Sequence, residues 1–185
     1  MKLWQRLLGH EGIALHAAGG VEISYASLRE QSLGLAKQLG PERQLVLLQA
    51  DNSVTTMVQY LACLCANHAV ILVSADLPAA TCQRLLADYQ PHWWLTPTAV
   101  PRCLHRHPLA MVPELAVMLT TSGSTGTAKL VRLSEANLLA NAESIVTYLG
   151  MRATDMALTA LPFAYSYGLS VIHSHLLCGG SLVLT

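Results

Sequence analysis

The sequence predicts an α/β fold, a layered sheet of mainly parallel strands with flanking helices, on three observations. Two short, continuously apolar runs, Leu45–Leu48 and Ala69–Val73, have the character of strands covered on both faces. Around them lie stretches whose apolar residues recur at helical spacing, so strand and helix alternate in the order that calls for right-handed crossovers. A polar, glycine-bearing stretch, Thr120 to Lys129, then separates two further apolar runs, Leu115–Leu119 and Leu130–Leu133. Its composition marks a site and not a core.

Taken in order, Ile13–His16 and Val21–Ser24 flank Ala17-Ala18-Gly19-Gly20 and read as a hairpin. A helix starts at Ser24 or Tyr25, carries Leu28, Leu35 and Leu39 on one side and ends at Gly40-Pro41. After the strand at Leu45, one of Asp51, Asn52 or Ser53 caps a helix that buries Val54, Met57, Val58, Leu61 and Cys65. Asp76-Leu77-Pro78 opens another helix with Leu85 and Leu86 inward, Asp51 and Asp76 being expected as caps, and Trp93–Leu95 is a strand. Pro97–Pro113, with four prolines and a basic cluster, reads as a surface connection. Ser134 caps a helix whose Leu138, Ala142, Ile145 and Leu149 share a side and which Gly150 terminates. Met156–Leu161 is a strand, Gly168–Leu177 a helix and Leu182–Leu184 the final strand, with no domain boundary inside the chain.

With 185 residues the chain is long enough for one domain with a real core. It is 52% hydrophobic and 12% charged, with formal net charge zero and mean hydropathy +0.40. That apolar excess does not come from a membrane span, because Asn67-His68 breaks the longest run and the others are strand-length. The expectation is instead a truncated chain that stops in mid-sheet at Leu182–Leu184, leaving apolar surface for an absent half. Nothing at the N-terminus reads as a signal peptide, and five cysteines in apolar contexts suggest reduced, buried thiols in a cytoplasmic protein. Balanced charge without a basic run gives no footprint for nucleic acid. Cys103, His105 and His107 fit no structural zinc spacing. His173 and His175, two apart on a helix, point to different faces and are expected to be held separately.

The hydroxyls, glycines and lysine between Thr120 and Lys129 suit a concave turn whose N–H groups converge, since glycine accepts the positive φ that such a nest needs. Hydroxyl donors and an ammonium add to that cradle, and the natural guest is a polyphosphate. A flexible linker has the same composition, but embedding between two strands and a closing lysine give a linker no advantage. The stretch is no Walker loop: Lys129 lies three residues past Gly126 and leads into a strand, not a helix.

At this stretch, Leu119 to Lys129, the sequence resembles the phosphate-binding signature of the adenylate-forming (AMP-binding) superfamily. That superfamily comprises acyl-CoA synthetases, luciferases and the adenylation domains of peptide synthetases. Tyr25–Leu39 with Leu45–Ala50 is similar to the family's first helix and strand. Gln59–Pro78 is similar to a further conserved region, with Asn67-His68 where Ala-Gly is commoner. Leu161-Pro162-Phe163-Ala164-Tyr165-Ser166-Tyr167-Gly168-Leu169 resembles the second family motif, with Ala164-Tyr165 replacing Phe-His. The resemblance implies that residues 1–185 form an incomplete N-terminal subdomain of the large AMP-binding domain. The adenine, ribose and catalytic-lysine motifs would lie beyond Thr185, so the chain alone is expected to be inactive.

The resemblance also implies a chemistry. A carboxylate attacks the α-phosphorus of ATP, pyrophosphate leaves, and an acyl-adenylate forms with the help of Mg2+. Thr121, Ser122, Gly123, Ser124, Thr125, Gly126 and Thr127 would wrap the β- and γ-phosphates. Lys129 would bind there too, as the catalytic point charge. Tyr165, Tyr167 and Gly168 would edge the pocket for the carboxylic acid, although aromatic packing at a strand end explains the tyrosines equally well. Coenzyme A is the expected acceptor, in the style of an acyl-CoA synthetase. A phosphopantetheinyl carrier protein, as in adenylation domains, is the alternative, as is a non-catalytic assembly module with a vestigial loop.

Overall fold

The computed structural model describes residues 1–105, 109–120 and 130–185. Within them the chain forms two sheets with helices between and outside them. The larger sheet contains β3 (Leu45–Ala50), β4 (Ala69–Ser74), β5 (Trp93–Thr96), β6 (Ala99–Cys103), β7 (Leu115–Thr120) and β8 (Leu130–Ser134), in the order β6-β5-β3-β4-β7-β8. Its four central strands are parallel, and antiparallel β6 and β8 close its edges. The smaller sheet joins β1 (Ile13–Ala17), β2 (Val21–Ser24), β9 (Met156–Leu158) and β10 (Ser181–Val183) in the order β2-β1-β10-β9, parallel except for the β1–β2 hairpin. This is the α/β architecture with mainly parallel strands that the apolar runs predict.

The helices follow the predicted faces. α2 (Tyr25–Leu39) buries Tyr25, Leu28 and Leu39, and α3 (Val54–Cys65) buries Met57, Tyr60, Leu61 and Leu64. Both pack with Val46, Leu48, Val70 and Leu72 on one face of the large sheet. α4 (Ala79–Tyr89) puts Cys82 and Leu85 on the opposite face, against Leu45, Leu47, Ile71 and Val73. Continuous apolarity of β3 and β4 is therefore explained, since alternate side chains serve two cores. α5 (Glu135–Leu149) and α6 (Ser166–Cys178) pack on one another, and a short α1 (Leu3–Leu7) inserts Leu3 and Leu7 into the same core.

Capping follows the expected chemistry in part. Ser24, Ser53 and Ser134 cap α2, α3 and α5, each hydroxyl accepting from the backbone N–H three residues on. Gly150 ends α5 in the left-handed region. Asp51 and Asp76, however, are not caps. Asp51 lies two residues ahead of the cap and braces it, accepting from Ser53 N–H at 3.0 Å and Thr56 Oγ1 at 2.7 Å. Asp76 precedes α4 by three positions, too far to reach its first turn, and Pro78 occupies the cap.

Three further expectations are corrected. Within Pro97–Pro113, expected to be a connection, residues 99–103 pair with β5 as an edge strand. Pro101 is tolerated at such an edge because only one side of the strand needs donors. The Arg102 guanidinium lies over the Trp94 ring at 5.0 Å, which gives β6 a reason to dock. Cys103, placed on that edge, is exposed rather than buried; all five cysteines are free. The strand from Met156 ends at Leu158 and not at Leu161, because Asn52 takes the carbonyls of Thr159 and Leu161 out of the ladder.

Candidate functional site

The parallel strands β3, β4, β5 and β7 end at Ala50, Ser74, Thr96 and Thr120 on one edge of the large sheet, and this edge is where open α/β sheets bind ligands. The connections place it at a switch point, because β4 lies on one side of β3 and β5 on the other. Thr120 pairs with Leu130, so the two residues that flank 121–129 are neighbours on this edge. β8 follows, as a loop between strands requires, and the first helix afterwards starts only at Glu135. Thr121, Ser122, Gly123, Ser124, Thr125, Gly126, Thr127 and Lys129 themselves lie outside the described residues, as does His107.

The second motif arrives at the same edge by a different route. Asn52, in the turn after β3, donates through Nδ2 to the carbonyls of Thr159 (2.5 Å) and Leu161 (3.3 Å). Its Oδ1 accepts from Phe163 N–H at 3.0 Å. Phe163 is buried edge-on against Tyr60, ring centroids 5.2 Å apart. Tyr60 in turn shares a 2.9 Å hydrogen bond with His173 Nε2 and stacks on that ring. Burial pushes the Tyr60 phenol well up and the His173 imidazole down to about 4, so both are neutral at physiological pH. At Asp51 burial opposes ionisation, but the hydrogen bonds from Ser53 and Thr56 win and hold its carboxyl below the usual range.

The three predicted pocket residues occupy different environments. Gly168 is buried in the first turn of α6, where an added Cβ would sit 2.3 Å from the Pro162 carbonyl oxygen. Tyr165 and Tyr167 are 56% and 63% exposed. Tyr167 borders an apolar groove of about 620 Å3 between α5 and α6, with Ile145, Tyr148, Leu149 and Val171. Ile145 and Leu149, expected inward with Leu138 and Ala142, thus line an open surface, and only Leu138 and Ala142 are buried.

A second cavity, about 220 Å3, joins the two motifs. Leu119 and Leu133, from the strands that carry the 121–129 segment, form one side of it. Ser166, Leu169 and Ser170 of α6 form another, with His173 in the wall. Asn141 of α5 donates to Ser170 Oγ at 2.9 Å and fixes the two helices beside it. The structure thus brings the flanks of the hydroxyl-rich stretch and the helix of the second motif to one place. Asn52, Tyr60 and His173, which hold this arrangement together, are not legible as partners in sequence. Asn52 reads there as a helix cap and His173 as a packed residue, and only tertiary contacts reveal the pairing.

Comparisons with known proteins agree with this layout. Residues 106–185 match the family model described as AMP-binding enzyme. The chain is 26% identical over 188 residues to D-alanine--D-alanyl carrier protein ligase of Bacillus cereus, covering 87% of this chain and 37% of that protein. It is 26% identical over 189 residues to a linear gramicidin synthase of Brevibacillus parabrevis, covering 89% of this chain and 2% of that protein. Among solved structures, ATP-bound MatB from Rhodopseudomonas palustris superposes with a TM-score of 0.85 at 23% identity, over 100% of this chain and 45% of MatB. The chain therefore spans less than half the length of each of these relatives. Residues 106–185 thus carry the likeness to AMP-binding enzymes, and the chain as a whole has the fold of part of those larger proteins.

Proposed function

We propose that the protein is the nucleotide-phosphate-gripping portion of an ATP-dependent ligase that activates a carboxylic acid as an acyl-adenylate. The observation that carries this reading is the shared cavity. The strands bearing residues 121–129 and the helix of the second motif meet at one edge of the sheet, so a nucleotide phosphate and an acid have a common place to react. Attack of a carboxylate oxygen on the α-phosphorus brings two anions together and builds charge on departing pyrophosphate. Hydroxyls of Thr121, Ser122, Ser124, Thr125 and Thr127 and the backbone N–H groups at Gly123 and Gly126 are the donors for that charge, and Lys129 adds a cation. Mg2+ supplies further charge neutralisation when bound with the nucleotide; no residue of this chain is assigned to hold it.

The finer reading is thioester formation on coenzyme A, with Tyr165, Tyr167 and Gly168 at the edge of the acid pocket. A carrier-protein acceptor is the second reading, favoured by the likeness to a D-alanyl carrier protein ligase and a gramicidin synthase. Lys129→Ala, made in the complete protein, tests the common step. Losing one well-placed donor in such a site costs roughly 10²–10³ in rate. ATP–pyrophosphate exchange is expected to fall by that order while the thermal midpoint stays put. An unchanged exchange rate rules out the role given to Lys129.

A further inference from the structure

The cavity of about 220 Å3 that joins the two motifs is walled by uncharged side chains. Leu119, Leu133 and Leu169 make it apolar, and Asn141, Ser166 and Ser170 add neutral polar groups. His173 completes the wall, its imidazole bonded to the Tyr60 hydroxyl and held neutral by burial. Among the described residues no carboxylate, guanidinium or ammonium lines it. A second charge on a bound acid would lose water there and gain no counter-charge in return.

Asn141 and Ser170 belong to the wall of this cavity and also to that of the groove of about 620 Å3 between α5 and α6. The two hollows are therefore adjacent, with the 2.9 Å hydrogen bond from Asn141 Nδ2 to Ser170 Oγ at their junction. That bond is open to solvent, so water replaces either partner and parting them costs little. Beyond it, Ile145, Leu149 and Val171 and the rings of Tyr148 and Tyr167 continue the apolar surface, again without carboxylate, guanidinium or ammonium. Tyr148 and Leu149 are 88% and 64% exposed, so an apolar chain laid over them removes much surface from water. The groove's volume falls within the roughly 300–1,000 Å3 of small-molecule sites. We propose that the acid activated at this site is a monocarboxylic acid with an uncharged aliphatic tail, and that the tail passes Asn141 and Ser170 to lie in the α5–α6 groove. The assignment rests on the acyl-adenylate chemistry proposed above and adds the class of acid to it. An aliphatic chain is thin enough to pass between two side chains and apolar along its whole length. An amino acid or a dicarboxylate would bring a second charge to a wall that has no partner for it.

Pentanoate, octanoate and 4-aminobutanoate are titrated into the chain without nucleotide, so that failure here is separate from failure of the pyrophosphate-exchange test. Methyl shifts of Leu169 report the cavity, and those of Ile145 and Val171 report the groove. Octanoate is expected to shift all three saturably, and pentanoate Leu169 alone. Affinity is expected to rise by up to about fourfold for each methylene added between them. 4-Aminobutanoate, with an ammonium where pentanoate has its methyl, is expected to bind about tenfold more weakly or worse. Ile145→Glu sets a carboxylate in the groove and is expected to bring octanoate down to the affinity of pentanoate. Tyr148→Glu, on a side chain 88% exposed and outside the core, is expected to act in the same direction with the fold intact. Equal binding of octanoate and pentanoate, silence at Ile145 and Val171, 4-aminobutanoate binding as tightly as pentanoate, or octanoate binding unchanged in Tyr148→Glu would each overturn the proposal. Groove shifts that follow protein concentration instead of octanoate would overturn it too, by giving the groove to a second copy of the chain.

Discussion

Asn52 joins parts of the chain 107 residues apart and makes the site possible at the level of single groups. Its amide bonds the carbonyls of Thr159 and Leu161 and the N–H of Phe163, the Thr159 carbonyl also accepting from Thr185 Oγ1 at 3.0 Å. Asn52→Ala strands the Leu161 carbonyl and the Phe163 N–H, and we expect a loss on the order of 1–3 kcal/mol in stability, with faster amide exchange at Phe163. Exchange at Phe163 as slow as in the parent protein would show that the tie is dispensable. The buried imidazoles make a second prediction at this scale. His173 and His68 stay neutral down to about pH 4, His173 through burial and His68 through burial with His92 and Arg43 nearby. In the unfolded chain both would take up protons near 6.5. Between these values the unfolded state binds more protons, so stability is intact above about pH 6.5 and is lost as pH falls toward 4. Each ring is expected to cost on the order of 1–2 kcal/mol by pH 5, lowering the thermal midpoint by several degrees relative to pH 7. A midpoint that does not move over that interval contradicts the burial of these rings.

At the scale of elements, α6 is seated closely on the loop that precedes it. Its first turn lies so close to Pro162 that Gly168 has no room for a Cβ, the nearest backbone oxygen being 2.3 Å away. Gly168→Ala must shift the turn or the loop, at an expected cost of about 1–3 kcal/mol, and far-ultraviolet melts measure it directly. A melt unchanged by the substitution would mean that α6 is not seated as described. Element identity was largely legible in the sequence for a physical reason. Runs such as Ala69–Val73 are strands buried on both faces, and the serines ahead of α2, α3 and α5 are caps whose chemistry is local. The extent of the elements was less so. β6 docks by laying its own Arg102 over Trp94 of neighbouring β5, and β9 stops where Asn52, from far along the chain, takes up the next carbonyls. The second influence acts across 107 residues.

At the scale of the whole molecule, the two sheets meet around a core shared by α1, α2, α3, α5 and α6, and α4 completes the other face. No helix among the described residues is long and apolar enough to cross a membrane. The candidate site was half legible: the hydroxyl-rich stretch and the second motif stand out by residue type. The meeting of the second motif with the strands that flank that stretch rests on Tyr60, His173 and Asn52, whose roles exist only once β3, α3 and α6 are packed. An apolar groove bordered by Tyr148, Leu149 and Tyr167 lies open between α5 and α6.

Residues 121–129 are proposed to grip the diphosphate of ATP. Titration of isotopically labelled protein with pyrophosphate and with MgATP, followed at the amides of Gly123 and Gly126, tests it most directly. Saturable shifts at both glycines are expected with either ligand. Silent glycine amides, while other residues respond to MgATP, would contradict it.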